Sequence, residues 1–170
     1  VDMKQAIGKN QVNEKIEAQV LFYSRNLAVP ARRNPDSPEV LKGKQLFQQA
    51  NCHSCHTPRF VTRKDAAEPE LAEQVIFPYT DLLLHDMGEG LADQRPEFLA
   101  SGRDWRTPPL WGIGLTEAVS GHTRFLHDGR ARNLMEAVLW HSGEAEAAKQ
   151  QVLKFSQPER EALLAFLNSL

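Results

Sequence analysis

The sequence predicts one mostly α-helical domain with a long central segment that is not helical. Apolar residues recur at helical spacing near both ends of the chain, and side chains that favour helix starts stand before three of the predicted helices. Between residues 57 and 132, by contrast, the sequence has prolines at positions 58, 69, 78, 96, 108 and 109. A chain of 170 residues is long enough to bury one core and short for two.

Composition excludes two classes of partner. Charged residues make up 25% of the chain and the formal net charge is -2, so there is no excess of positive charge to bind nucleic acid. The longest apolar runs are far shorter than the roughly 20 residues that span a bilayer, which predicts no membrane insertion. No basic and apolar targeting segment stands at the start, so we expect the chain to be mature or excised from something longer.

The first two helices are predicted before the cysteines. A stripe at spacings of three and four predicts an amphipathic helix that ends before Pro30, and it consists of Val12, Ile16, Val20, Tyr23 and Leu27. Ser37 followed by Pro38 then indicates a helix start, because serine caps the first turn and proline suits its first position. This second helix is predicted to run to about Gln49.

Two helices are predicted after the central segment. One begins at Asn133, with Glu136 three residues later, and ends near Gly143. The last begins at Ser156, with Glu159 three residues later, and both starts are capping boxes or close to one. Leu163 and Phe166 lie on the apolar face of the last helix. The central segment is unusually long for a loop unless something else supplies its core.

Both cysteines of the chain lie in the stretch NCHSCH, residues 51 to 56. A structural zinc site needs four ligands, usually from two paired motifs, and the chain has no second cysteine pair. A catalytic dithiol is expected at the start of a helix that follows a strand, whereas a helical pattern precedes this motif. The third reading is the haem-attachment pattern C-x-x-C-H, in which Cys52 and Cys55 bind the vinyl groups and His56 binds iron.

The hypothesis of haem attachment explains several features of the sequence together. Covalent attachment uses both cysteines, and a buried porphyrin would supply the missing core of the central segment. A helix that carries Gly43 runs into the motif, and an apolar terminal helix is available to cross it. This arrangement resembles the c-type cytochrome domain, so the predicted fold is mostly α with long haem-wrapping loops, and residues 1–170 form a single cytochrome c domain.

Several segments resemble one family in order along nearly the whole chain. They are LFYSRNLAVPARR, GKQLFQQANCHSCHTP, YTDLLLHDMGEGLAD, GRDWRTPPLWGIG and FLHDGRARNLMEAVLWHSGEA. They are similar to the C-terminal haem domain of a bacterial di-haem oxidoreductase family, whose members are often labelled thiol oxidoreductases and are related to di-haem cytochrome c peroxidases. The resemblance implies that the chain is the C-terminal part of a longer di-haem protein. The chain itself has one C-x-x-C-H.

The second axial ligand is predicted to be Met87, which lies on a glycine-flanked turn and is the methionine that the resemblance implies. The other candidates are Met3, His85, His122, His127, Met135 and His141, with His127 as second choice. Histidine and methionine fill both axial positions, and methionine raises the reduction potential. The predicted function is therefore one-electron transfer, with little peroxidase activity from this chain alone.

Arginines and tryptophans complete the predicted cofactor site. Arg106 is the first candidate for binding the haem propionates, with Arg103 and Arg124 behind it. Trp105 and Trp111 are expected to wall the haem or fill the core. The predicted cofactor is one covalent haem c, the expected partner is a redox protein or a second haem domain, and the expected compartment is the periplasm. Two alternatives stay open, a peroxidase-like enzyme with a labile Met87 and a haem-free metal-binding module.

Overall fold

The computed structural model describes residues 13–170, which fold mainly as α-helices. The helices, in chain order, are α1 (Glu14–Arg25), α2 (Pro38–Gln49), α3 (Thr116–Ser120), α4 (Leu134–Trp140), α5 (Glu146–Leu153) and α6 (Gln157–Ser169). These elements are compatible with the predicted mostly α-helical fold class, and the wrapping of the loops around a haem stays a prediction. Short 3₁₀ turns connect several of these elements, and one of them contains Cys52.

The predicted helix starts are confirmed by their caps. The Ser37 hydroxyl accepts a hydrogen bond from the Val40 N–H at 3.3 Å, at the start of α2. Asn133 Oδ1 accepts from the Glu136 N–H at 2.8 Å, at the start of α4. Ser156 and Glu159 form a complete capping box at the start of α6. These side chains satisfy N–H groups that have no partner inside the helix.

Helices α2 and α6 cross at Gly43, and this crossing forms the core. A Cβ atom at Gly43 would overlap the carbonyl oxygen of Ala162 and lie 2.7 Å from the Cβ of Phe166. Only glycine therefore permits so close an approach. Leu46, Leu163 and Phe166 are among the most completely buried side chains of the described residues. The predicted crossing of the two helices at this glycine is confirmed.

The central segment contains two small antiparallel strand pairs. Strand β1 (Phe60–Val61) pairs with β2 (Val75–Ile76), and β3 (Leu84–Asp86) pairs with β4 (Asp104–Arg106). In the second pair His85 lies opposite Trp105. This pairing fixes the position of the turn after β3, and Met87 lies in that turn.

Helix α1 differs from its prediction in burial. The helix forms as expected, but none of its residues is buried, and Tyr23 is 67% exposed. The apolar stripe therefore does not face the core, and its first member, Val12, lies outside the described residues. Helix α5 was not predicted. Among residues 13–170, no helix is both long and apolar enough to cross a membrane.

Candidate functional site

The two cysteines and His56 lie on one tight turn directly after α2. Asn51 adopts a left-handed conformation with φ of 62°, which ends the helix and starts the 3₁₀ turn Cys52–Ser54. The turn is closed by the His56 N–H, which donates to the carbonyl oxygen of Cys52 at 3.0 Å. Both thiols are free and half-buried. The chain thus presents two thiols and an imidazole from five consecutive residues.

His56 is oriented by a backbone carbonyl. Its Nδ1 lies 3.1 Å from the carbonyl oxygen of Tyr79, and its ring centre lies 6.3 Å from that of Phe47. Burial lowers the pKa of His56 to about 4, so the ring is neutral at neutral pH. A neutral histidine that donates Nδ1–H to a carbonyl keeps Nε2 as a lone-pair donor, which is the usual arrangement of a metal-ligating histidine.

The thiols do not have the properties of a redox-active pair. Burial raises the pKa of Cys52 to about 11, and burial is also the largest cause of the raised pKa of Cys55. Catalytic dithiols need a lowered pKa because the thiolate is the reactive form. The raised pKa values of both thiols therefore argue against a catalytic dithiol. They are compatible with thiols that are consumed in covalent attachment.

Three aromatic side chains pack behind His56. Phe47 lies 6.0 Å from Tyr79 and 5.2 Å from Phe166, measured between ring centres, and Tyr79 lies 5.7 Å from Phe166. All three are buried. This cluster joins α2, the Tyr79 segment and α6, so the imidazole is held by the same packing that forms the core.

The turn with Met87 is held against the end of α4. The Met87 N–H donates to the carbonyl oxygen of Arg103 at 2.9 Å, and the hydroxyl of Ser142 donates to the carbonyl oxygen of Met87. A Cβ atom at Gly88 would lie 2.8 Å from the Ser142 Oγ, so these two segments are in close contact. The backbone of Met87 thus lies beside the residue that follows His141.

His141 ends α4 and lies near the turn of residues 52–56, which we call the attachment turn. Its ring centre is 6.4 Å from that of His56, and the planes of the two rings are inclined by 48°. Its Nδ1 lies 2.7 Å from the carbonyl oxygen of Ala137. Burial lowers the pKa of His141, which keeps the ring neutral at neutral pH.

His85 belongs to a cluster of carboxylates. Its Nε2 lies 2.8 Å from Asp81 and its Nδ1 lies 2.8 Å from Glu144, and the hydrogen bond to Glu144 is the largest cause of the raised pKa of His85. Ligand atoms of Cys55, Asp81 and His85 lie within 4.8 Å of one another. The carboxylates favour the protonated imidazole, which cannot bind a metal, so this cluster is better described as an ion-pair network.

The remaining arginines and tryptophans that were predicted for the site have different surroundings. Arg106 is exposed in β4, whereas Arg103 forms ion pairs with Asp86 and Glu89. Trp105 stacks on His127, with ring centres 3.6 Å apart and planes inclined by 11°.

Trp111 lies at a separate cavity. It lines a cavity of about 220 Å³ together with Arg32. Neither it nor Trp105 belongs to the buried core.

Two features of the site were not predicted. The structure places Nδ1 of His53 in a buried position with no hydrogen-bond partner among the described residues. The Nε of Arg32 is likewise buried without a partner in the same part of the chain. No sequence pattern marks either position, because burial here depends on contacts between distant segments. Met3 lies outside the described residues.

Comparison with known families decides the assignment. A family model described as "Di-haem oxidoreductase, putative peroxidase" matches residues 3–170. The chain belongs to this di-haem oxidoreductase family. No curated protein and no solved structure matched the chain. The family assignment confirms the resemblance that the sequence motifs carried, and it implies haem and oxidoreductase chemistry.

The residues present fit a covalently attached haem. Such a group needs two thiols at C-x-x-C spacing and a neutral histidine directly after them. Cys52 and Cys55 are free, and His56 is neutral and oriented through Nδ1 by the Tyr79 carbonyl. Two cysteines provide one such attachment site in this chain.

Proposed function

We propose that this chain is a c-type cytochrome domain that transfers single electrons through one covalent haem. Cys52 and Cys55 hold the haem by thioether bonds, and His56 binds its iron. When bound, the haem exchanges one electron between the ferric and ferrous states. The observation that carries the proposal is the hydrogen bond from His56 Nδ1 to the Tyr79 carbonyl, on the same turn as two free thiols.

The protein contributes orientation and exclusion of water. The Tyr79 carbonyl fixes the imidazole, and the cluster of Phe47, Tyr79 and Phe166 keeps water from its inner side. A second ligand from the chain, for which the sequence predicts Met87, would leave no position for a substrate on the iron. The domain then exchanges electrons with a redox protein or a second haem domain. Because haem c is attached outside the bacterial cytoplasm, the proposed compartment is the periplasm.

The alternative is that the chain is the catalytic part of a peroxidase-like oxidoreductase. The description of the matching family favours this alternative. It requires an open or easily opened position on the iron, so the ferric protein would bind cyanide rapidly. The electron-transfer proposal expects slow or no binding of cyanide.

Covalent attachment is tested by expression together with haem-maturation machinery. We expect the intact mass to exceed that of the polypeptide by one haem, and a pyridine haemochrome spectrum to show two saturated vinyl groups. Cys52→Ala should give a haemochrome with one remaining vinyl group or lose the haem. The variant Cys52→Ala/Cys55→Ala should give only the polypeptide mass. A wild-type protein with the mass of the bare polypeptide would contradict the proposal.

A further inference from the structure

His141 offers a second imidazole close to the one on the attachment turn. We infer that His141, rather than Met87, is the second axial ligand of the haem iron, opposite His56. This inference rests on the proposed function, because it presupposes a haem held by Cys52 and Cys55. It changes the axial pair from histidine and methionine to two histidines.

The distance between the two rings suits one shared metal ion. A histidine nitrogen lies about 2.0–2.1 Å from a metal such as zinc, and the ring centre lies roughly 1.15 Å further, so two opposed histidines have ring centres about 6.3–6.5 Å apart. The centres of His56 and His141 are 6.4 Å apart. Two imidazoles on one axis can take any mutual rotation, which accommodates their inclination of 48°. Stacked rings lie much closer, as Trp105 and His127 do at 3.6 Å.

The two histidines have the same hydrogen-bond arrangement. Nδ1 of His56 meets the carbonyl oxygen of Tyr79, and Nδ1 of His141 meets that of Ala137. Within residues 13–170, Nε2 of neither ring has a hydrogen-bond partner. Metal-ligating histidines use one nitrogen for such a bond and the other for the metal. Both side chains are therefore oriented as ligands are.

The competing histidines are engaged elsewhere. Both ring nitrogens of His85 meet carboxylates, and the ring of His127 is stacked on Trp105. His122 is exposed, and its Nδ1 accepts a hydrogen bond from the Arg124 N–H at 3.2 Å. Outside the attachment motif, His141 is thus the one histidine of the described chain whose ring lies beside that of His56 with its Nε2 unpaired.

The Met87 turn has a different role in this arrangement. The Ser142 hydroxyl donates to the Met87 carbonyl oxygen, and Gly143 approaches the backbone of residues 86 and 88 so closely that no side chain would fit. These contacts fix the position of the chain directly after His141. The Met87 turn therefore supports the end of α4 through backbone contacts that do not involve the methionine sulfur.

The wild-type spectrum tests the inference without any variant. A methionine–iron bond gives a near-infrared charge-transfer band in the ferric state, and a pair of histidines does not give this band. We expect the ferric holoprotein to be low-spin and to lack the methionine band. Because methionine raises the reduction potential of a haem, we also expect a potential below that of histidine–methionine cytochromes. A methionine band in the wild type would overturn the inference.

Variants then identify the ligand. His141→Ala should lose the six-coordinate low-spin spectrum and gain rapid cyanide binding, and added imidazole should restore the spectrum. His141→Met should introduce the methionine band. Met87→Leu should leave the low-spin spectrum and the slow binding of cyanide unchanged, and so should the control variants His85→Gln and His127→Gln.

The possible failures are distinguishable. If Met87→Leu opens the iron while His141→Ala does not, or if another histidine variant does so, the axial assignment is wrong although the covalent haem stands. If the wild type carries no covalent haem, as intact mass would show, the proposed function itself fails. If His141→Ala does not fold, the wild-type near-infrared spectrum and the His141→Met variant still decide between the two ligands.

Discussion

Thr80 connects the carbonyl that orients His56 to the rest of the central segment. Its hydroxyl donates to the Thr107 carbonyl oxygen at 2.6 Å and accepts from the Leu82 N–H at 2.9 Å. Its own N–H donates to the carbonyl oxygen of Thr57, the residue after His56. Thr80 is 1% exposed, so water cannot replace these partners. The orientation of the imidazole therefore depends on this threonine.

Removal of that hydroxyl should destabilise the domain. Thr80→Val leaves the buried Thr107 carbonyl and the partly buried Leu82 N–H without the threonine hydroxyl, which costs about 1–3 kcal/mol. Urea unfolding of the holoprotein measures the loss. Thr116→Val is the control, because the half-buried Thr116 hydroxyl bonds only to Ile113 in its own turn. Equal unfolding free energies for Thr80→Val and the wild type would show that Thr80 does not hold this segment.

At the scale of secondary-structure elements, the crossing of α2 and α6 determines where the attachment turn lies. Gly43 lies nine residues before Cys52, so the crossing sets where α2 ends and where the motif begins. The aromatic cluster behind His56 takes Phe47 from α2 and Phe166 from α6. The geometry of the proposed haem site therefore depends on the packing of these two helices.

A methyl group at the crossing should force the helices apart. Alanine is favoured over glycine inside a helix by about 1 kcal/mol, but a Cβ at Gly43 overlaps backbone atoms of α6, and such overpacking costs about 1–3 kcal/mol. Gly43→Ala should therefore lower the free energy of unfolding. On heating, the holoprotein should lose its haem absorbance spectrum at a lower temperature than the wild type.

Gly90→Ala is the matched control for that experiment. A Cβ at Gly90 would have its nearest neighbour in the Trp140 ring at 3.8 Å, which is an ordinary contact. The melting temperature of Gly90→Ala should stay close to that of the wild type. If Gly43→Ala were as stable as Gly90→Ala, the close approach of α2 and α6 would not exist in solution.

Capped helices could be predicted from sequence because their signals are local. Ser37, Asn133 and Ser156 each satisfy backbone groups within three residues, so sequence spacing alone reveals them. Helix α5 was missed because its sequence, EAAKQQVL, has no apolar stripe of its own. The strands were missed because segments of two or three residues depend on distant partners.

In the candidate site, too, features with a local signal could be predicted, and features that depend on distant contacts could not. Cys52, Cys55 and His56 are contiguous, so the attachment pattern was visible in the sequence. His141 was only one candidate among several, because its distance from His56 depends on how α4 packs. Glu144 and Ser142 gave no sequence signal at all, since their contacts lie 55 to 59 residues away.

At the scale of the whole molecule, the family and the cysteine count give different numbers of haems. The family is di-haem, whereas the chain has two cysteines and one C-x-x-C-H. The proposed covalent attachment would consume both cysteines, so a second haem would have to be carried by another segment or another protein. This chain should therefore act as a one-electron unit.

A reductive titration of the holoprotein tests that number. Stepwise addition of a calibrated reductant, followed by absorbance, should fully reduce the protein at one electron per chain, with a single potential, because one iron changes between two adjacent oxidation states. The variant Cys52→Ala/Cys55→Ala, which cannot attach a haem, corrects for reductant consumed by the polypeptide. Two electrons per chain, or two separate potentials, would mean that this chain binds a second redox centre that its cysteines do not account for.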